Sequence, residues 1–251
     1  MQPKNHMEAD GISLFTIPNI ITCFNLLCGC VGVVFALGGA VQAAMVCMLL
    51  AAVFDFLDGF AARLLKAYST VGKQLDSLAD MVSFGLLPAA MLYYVMQKTP
   101  VEAHGAYLLL MFSPFLLTVF SALRLAKFNV DERQTTSFRG LPTPANALFF
   151  ASATIIYADY SLEMWVMLTL IPLFSFLLVC EIPMFSLKVK GYLLARYALQ
   201  LVFLLLSGAA VLLCLLYAIP VFAVFAPIIL LYILLNVAAW VWKKLTGGSI
   251  A

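Results

Sequence analysis

The stretch CGCVGVVFALGGAVQAAMVCMLLAAVFDFLDGFAARLLKAYSTVGKQLDSLAD, residues 28–80, sets a long apolar run against four aspartates, Asp55, Asp58, Asp76 and Asp80. Residues 28–54 contain no Asp, Glu, Lys or Arg, and that run exceeds the roughly 20 apolar residues that cross a bilayer. Carboxylates are expensive beside hydrocarbon, so four of them at a helix boundary point to an ion site. Asp55 and Asp58 are three apart, and Asp76 and Asp80 four apart. Each spacing puts both side chains on one helix face. Gly59 and Ala62 extend the first face and Gly72 the second, leaving room for something wider than a bare ion, such as a phosphate or a nucleotide. The polar interval 66–74 is long enough to turn the chain and bring the faces together. Carboxylates this close repel one another unless a cation neutralises them. Hard oxygen ligands on two facing helices suit Mg²⁺ or Mn²⁺, and two such ions can bridge a diphosphate. Charges that merely cap helices at the headgroup level account for one or two aspartates, not for four with small neighbours.

Composition sets the class. Of 251 residues, 65% are hydrophobic and 10% charged, where a soluble domain carries about a quarter charged residues. Apolar segments fall near 17–38, 41–65, 74–97, 105–127, 143–160, 163–181, 194–217 and 219–242. The expected fold is therefore all-α, a polytopic integral membrane protein with about eight transmembrane helices. Residues 1–16 are expected to form a cytoplasmic lead-in, either a short interfacial helix or a flexible segment, and 17–251 a single transmembrane catalytic domain. The opening lacks a lysine-rich region running into a short apolar stretch and cleavage site, so no removable signal peptide is expected. With the N-terminus in the cytoplasm, Lys4, Arg63, Lys66, Lys73, Lys127, Arg133, Arg139, Lys188, Lys190, Lys243 and Lys244 share that side, and only Lys98 falls on the other. This bias predicts both termini and the four aspartates on the cytoplasmic face of the cell's inner membrane. The formal net charge is only +2, with no basic stripe of the kind that nucleic-acid binding needs. Cys23, Cys28, Cys30, Cys47, Cys180 and Cys214 lie in or beside the apolar segments and read as small packing residues. Tyr93, Tyr94, Tyr157, Tyr160 and Trp165 read as aromatic anchors at the outer interface. Neither His6 nor His104 falls near the aspartates.

The acidic run resembles the signature of the CDP-alcohol phosphotransferase family, D-x2-D-G-x2-A-R-x8-9-G-x3-D-x3-D. Asp55, Asp58, Gly59, Ala62, Arg63, Gly72, Asp76 and Asp80 supply it without departure. The resemblance implies a six-helix family core and two divalent cations, Mg²⁺ or Mn²⁺, held by Asp55, Asp58, Asp76 and Asp80 against the diphosphate of a CDP-linked donor. Asp80 is the implied base for the alcohol. Gly59, Ala62 and Gly72 are implied to line the nucleotide pocket, with Arg63 and Lys73 nearby. Asn19, Thr22 and Asn25, at offsets of three, either satisfy helix ends or meet the donor; the resemblance favours the donor.

Further stretches are similar to the bacterial and archaeal phosphatidylserine synthases of that family: PNIITCFNLLCG from Pro18, SLADMVSFGLLPAA from Ser77, SALRLAKFNV from Ser121 and FRGLPTPANA from Phe138. This implies CDP-diacylglycerol as donor and L-serine as acceptor, with phosphatidylserine and CMP as products, membrane lipids around the protein, and a homodimer as an arrangement common in the family. Acceptor or phosphate contacts are expected from Arg124, Asn129, Arg133 and Arg139. Arg124 has the alternative of snorkelling at the membrane edge, Arg133 that of a solvated loop, and Arg139 that of a turn constrained by Gly140, Pro142 and Pro144. Small residues at Gly29, Gly32, Gly38 and Gly39 permit close helix packing, within one chain as readily as between two. Two competing readings stand beside this one: a related transferase acting on glycerol 3-phosphate or inositol phosphate, and a divalent-cation transporter. A transporter calls for polar groups through the membrane depth, and here the aspartates sit at one mouth.

Overall fold

The computed structural model describes residues 13–98, 110–131, 138–160, 164–184, 198–217 and 220–246. Helix α1 (Ile17–Leu37) begins at Thr16, whose side chain accepts from Asn19 N, with Pro18 in the first turn. That is a favourable start, because proline gives up an N–H that has no intrahelical partner there. Gly39, at φ +88°, turns the chain into α2 (Val41–Leu64). Lys66 turns it again in the left-handed region, at φ 52°. Ser69 then caps α3 (Thr70–Asp80), its Oγ accepting from Gly72 N at 2.9 Å.

The rod does not stop at Asp80. A π-helical turn, Met81–Leu86, joins it to α4 (Leu87–Gln97). Pro88 has no N–H to close an α-helical bond, and the wider turn accommodates that loss. Leu87 N bonds Val82 O, and the Thr118 hydroxyl donates to Gly85 O at 3.0 Å. The chain continues through α5 (Phe115–Val130), α6 (Thr143–Tyr160), α7 (Met164–Val179), α8 (Ala198–Leu216), a short 3₁₀ turn and α9 (Phe225–Leu245). A two-residue antiparallel pairing, Phe138–Arg139 with Pro183–Met184, pins the start of α6 to the end of α7. Gly140 permits it: at φ +76° its backbone presses so close that a Cβ would lie 2.6 Å from Leu178 O.

Packing centres on α6. One of its faces, with Ala147, Ala151 and Ile155, meets Met45, Met48, Phe84 and Met91 from α2, the π turn and α4. The other, with Phe149, Phe150 and Ala153, meets Leu117, Met167, Phe174, Tyr232 and Ile233 from α5, α7 and α9. Tyr157 belongs to this second core at 5% exposure rather than to an interfacial belt, whereas Trp165 is 64% exposed. The small residues of α1 serve contacts inside the chain. A side chain at Gly29 would collide with Ser83, and one at Gly32 would come within 2.6 Å of Leu87.

The protein is thus an all-α polytopic membrane protein. Among the described residues, four helical rods are long and apolar enough to span: Ile17–Leu37, Val41–Leu64, Thr70–Gln97 and Val221–Trp242. The expectation of eight spans exceeds this. As described, α5 and α7 have 16 residues each, about 24 Å of rise against a hydrocarbon core of about 30 Å. Residues 105–109 of the expected fourth span and 194–197 of the seventh lie outside the described residues, as do the lead-in 1–12, both histidines and Arg133.

Candidate functional site: a carboxylate cleft

Where α1 begins, α2 ends and α3 begins, the three helices enclose a cleft of about 610 Å³. Asn19, Thr22, Asp55, Asp58, Gly59, Ala62, Gly72, Lys73 and Asp76 line it together with the connecting residues Ala67, Tyr68, Ser69 and Thr70. The volume falls in the usual range for small-molecule sites. Sequence spacing did its work here: the i, i+3 and i, i+4 relations put the carboxylates of α2 and α3 on facing surfaces.

Asp55, Asp76 and Asp80 each offer a carboxylate oxygen to one group whose atoms all lie within 4.8 Å of one another. Asp55 and Asp76 are within hydrogen-bonding reach of each other. Asp58 stands beside this trio, its Oδ2 accepting from the Thr22 hydroxyl at 2.6 Å. The same hydroxyl oxygen lies 3.0 Å from Pro18 O. Asp80 is buried behind the cleft rather than lining it, and Asn25 Nδ2 donates to its Oδ1 at 3.2 Å. Asn25 Oδ1 is buried without a partner. Three convergent carboxylates form a hard, oxygen-only donor set with an excess of negative charge. That set fits a divalent cation of the Mg²⁺ or Mn²⁺ kind.

The neighbouring small residues divide by function. A Cβ on Gly59 would meet nothing within 4 Å, so its hydrogen faces open cleft. A Cβ on Gly72 would fall 2.9 Å from Asn19 Oδ1 and 3.0 Å from Ser69 Oγ, so this glycine lets α3 press against α1. Asn19 itself is anchored by Nδ2 donating to Leu14 O at 3.0 Å.

Several expected ligand contacts have other partners. Arg63 is exposed and does not line the cleft; it sits in the last turn of α2, where a cation suits the helix dipole. Lys73 lines the cleft but donates to Asn129 O at 2.7 Å, satisfying a carbonyl at the end of α5. Asn129 Nδ2 donates to Ser77 Oγ at 2.8 Å, so this residue links α5 to α3. Arg139 Nη1 donates to Glu181 Oε2 at 2.9 Å, and Lys127 also pairs with Glu181. Arg124, by contrast, is buried, and its Nη1 donates to Thr143 Oγ1 at 3.0 Å. Cleft residues that motif reading missed include Tyr68, which is 72% exposed on the connection between α2 and α3. An aromatic residue inside a polar turn was the available signal.

The sequence model of one family, described as CDP-alcohol phosphatidyltransferase, matches residues 15–176. Among curated proteins, the chain is 34% identical over 191 residues to a CDP-diacylglycerol–serine O-phosphatidyltransferase of Mycobacterium tuberculosis, covering 69% of this chain and 62% of that protein. It is 35% identical over 128 residues to the Bacillus subtilis protein of the same name, covering 51% and 69%. An archaetidylserine synthase of Methanothermobacter thermautotrophicus is 32% identical over 153 residues, covering 59% and 60%. The chain therefore spans about six tenths of the length of the mycobacterial relatives it matches.

Proposed function

Because the chain belongs to the CDP-alcohol phosphatidyltransferase family, we propose that it transfers the phosphatidyl group of CDP-diacylglycerol to the hydroxyl of L-serine, forming phosphatidylserine and releasing CMP. The observation that carries this reading is the convergence of Asp55, Asp76 and Asp80 at the base of a cleft of nucleotide size.

Asp55, Asp58, Asp76 and Asp80 would hold two divalent cations. Bound there, such ions supply charge neutralisation for the diphosphate and for the oxygen that departs with CMP. The chain's own groups do the rest by positioning and by proton transfer. The open space beside Gly59 and Ala62 admits the nucleotide. Thr22 fixes the Asp58 carboxylate, and Asn25 fixes that of Asp80. Asp80, buried behind the cleft, accepts the proton of the serine hydroxyl. The serine oxygen forms a bond to the phosphorus carrying diacylglycerol, and the bond from that phosphorus to the CMP oxygen breaks. No separate nucleophile stands out among the cleft residues, which favours direct transfer.

The cation distribution supports serine over a phosphorylated acceptor. Such an acceptor calls for a cluster of arginines, and among the described residues Arg139 and Lys127 share Glu181 as a partner while Arg124 is the buried arginine. The Lys and Arg bias places the cleft and both termini on the cytoplasmic side. Eight spans and a homodimer remain part of this proposal, with the shorter apolar helices completing the bundle.

CMP release from CDP-diacylglycerol by purified, lipid-reconstituted protein with Mn²⁺ or Mg²⁺ tests the reading, comparing serine, glycerol 3-phosphate and inositol phosphate. Serine-dependent release that is lost in Asp80→Ala is the expected result. Turnover with a phosphorylated acceptor alone overturns the acceptor assignment, and no turnover with any acceptor overturns the transferase reading.

A further inference from the structure

The rod that carries Asp76 and Asp80 is α-helical on both sides of Met81–Leu86 and π-helical within it. Leu87 N bonds Val82 O, five residues back, where an α-helix reaches back four. The turn therefore holds one residue more than an α-turn does, an arrangement found mostly as single turns and frequently at functional sites. This one begins at the residue after Asp80.

An extra residue cannot vanish from a helix, but it can pass along it one position at a time. Each residue it passes changes register by one place, about 100° of rotation and 1.5 Å of rise. Toward α4 the passage is closed. Pro88 has no N–H with which to rebuild the ladder, and Leu87, Ala90 and Met91 are buried in the core with Met45 and Met48. Toward α3 the first residue to be passed is Asp80.

Two side-chain bonds hold the turn where it is, one to each of two neighbouring helices. Ser83, fully buried, donates to Asn25 O on α1 at 3.1 Å. Thr118 on α5 donates to Gly85 O at 3.0 Å. Glycines let both helices close on the turn. A Cβ on Gly29 would lie 3.0 Å from Ser83 Cα, and one on Gly85 would lie 3.1 Å from Ser121 Cβ. Asn25 is also the residue whose Nδ2 donates to Asp80 Oδ1, so α1 grips Asp80 and the adjoining turn through one residue.

We propose that Ser83 and Thr118 are positioning residues for the transfer: clamping the π turn from α1 and α5, they keep Asp80 in register with Asp55 and Asp76. Neither lines the cleft or belongs to the carboxylate trio, so both act through Asp80. The assignment rests on the transferase reading above and adds residues outside the aspartate motif. Without the clamp, Asp80 spends part of its time out of the trio. The apparent affinity for a cation then falls by the same factor as the fraction of protein in register, and excess cation restores that fraction.

The test uses the full chain in lipid. Thr118→Val removes the hydroxyl at nearly constant volume, and calorimetry is expected to show its apparent Kd for Mn²⁺ raised about tenfold. Turnover at limiting Mn²⁺ falls with it and returns at excess Mn²⁺, where the KM values for donor and serine stay within about twofold of wild type. Thr118→Ser keeps the hydroxyl and is expected to bind Mn²⁺ within about twofold of wild type. Thr154→Val is the control: it removes a buried hydroxyl bonded to Phe150 O within α6, and Mn²⁺ affinity is expected to hold. Thermal unfolding of each variant separates register from folding. Should Thr118→Val unfold, Ser83→Ala, which relieves the contact with Gly29, decides by the same titration. Wild-type Mn²⁺ affinity in the folded clamp variants overturns the clamp and leaves the transferase reading standing. Wild-type protein that binds Mn²⁺ but turns over no acceptor overturns the transferase reading, and the calorimetric comparison still decides the clamp. Wild-type protein that binds no Mn²⁺ overturns both.

Discussion

The carboxylate cleft is open, and several polar side chains around it are paired: Thr22 with Asp58, Asn25 Nδ2 with Asp80, Asn19 with Leu14 O, while Asn25 Oδ1 is not. The junction of Ser121, Arg124, Thr143 and Asn146 is closed, yet it leaves four polar atoms unpaired. An open site keeps its hydrogen bonds within the protein or with water and leaves space for a large ligand. The contrast separates a cleft with room for a large ligand from a packed junction where Arg124 and Thr143 hold α5 against α6.

The comparison can be broken at either end. The largest expected effect is in the trio: Asp76→Asn keeps the shape and removes a carboxylate charge, and kcat is expected to fall about a thousandfold. An Mn²⁺ titration of activity would show whether added cation rescues it. Next comes the hydrogen bond that fixes Asp58. Thr22→Val is expected to weaken Mn²⁺ binding by tenfold or more, as removal of an outer partner does at roughly the 10–100-fold level. Isothermal calorimetry on the reconstituted protein reads this directly, apart from turnover.

The two motif glycines sharpen the contrast between space kept for a ligand and space kept for packing. Gly59→Leu projects into open cleft, so the donor KM is expected to rise about tenfold with little change in thermal stability. Gly72→Ala pushes on Asn19 and Ser69, so stability is expected to fall by about 1–3 kcal/mol. Smallest of all is the exposed cluster: Glu181→Gln releases Lys127 and Arg139, and stability is expected to change by no more than about 1 kcal/mol. A large loss of serine turnover in that variant would place those cations in the acceptor site after all.

The cleft was legible in the sequence because its geometry is local. Asp55 with Asp58 and Asp76 with Asp80 need only the helix period to share a face, and the interval between them needs only enough polar residues to turn. Long-range pairing was not legible. Thr22 meets Asp58 across 36 residues and Asn25 meets Asp80 across 55, and no periodicity announces either. Lys73 was expected beside the nucleotide pocket and Arg139 at the acceptor; in the fold Lys73 lines the cleft while donating to Asn129 O, and Arg139 pairs with Glu181. Asn146 lies inside FRGLPTPANA, a stretch the sequence already singled out, but its burial was not legible there. Hydropathy marked the apolar segments well; as described, α5 and α7 have 16 residues each and pack against α6 and each other.

Incorporation of radiolabelled L-serine into lipid by the reconstituted protein, with CDP-diacylglycerol and Mn²⁺, tests the central claim most directly. Label in phosphatidylserine, in step with CMP release and absent in Asp80→Ala and Asp76→Asn, is the predicted result. Folded, cation-loaded protein that consumes the donor with another alcohol while leaving serine unlabelled in lipid would contradict it.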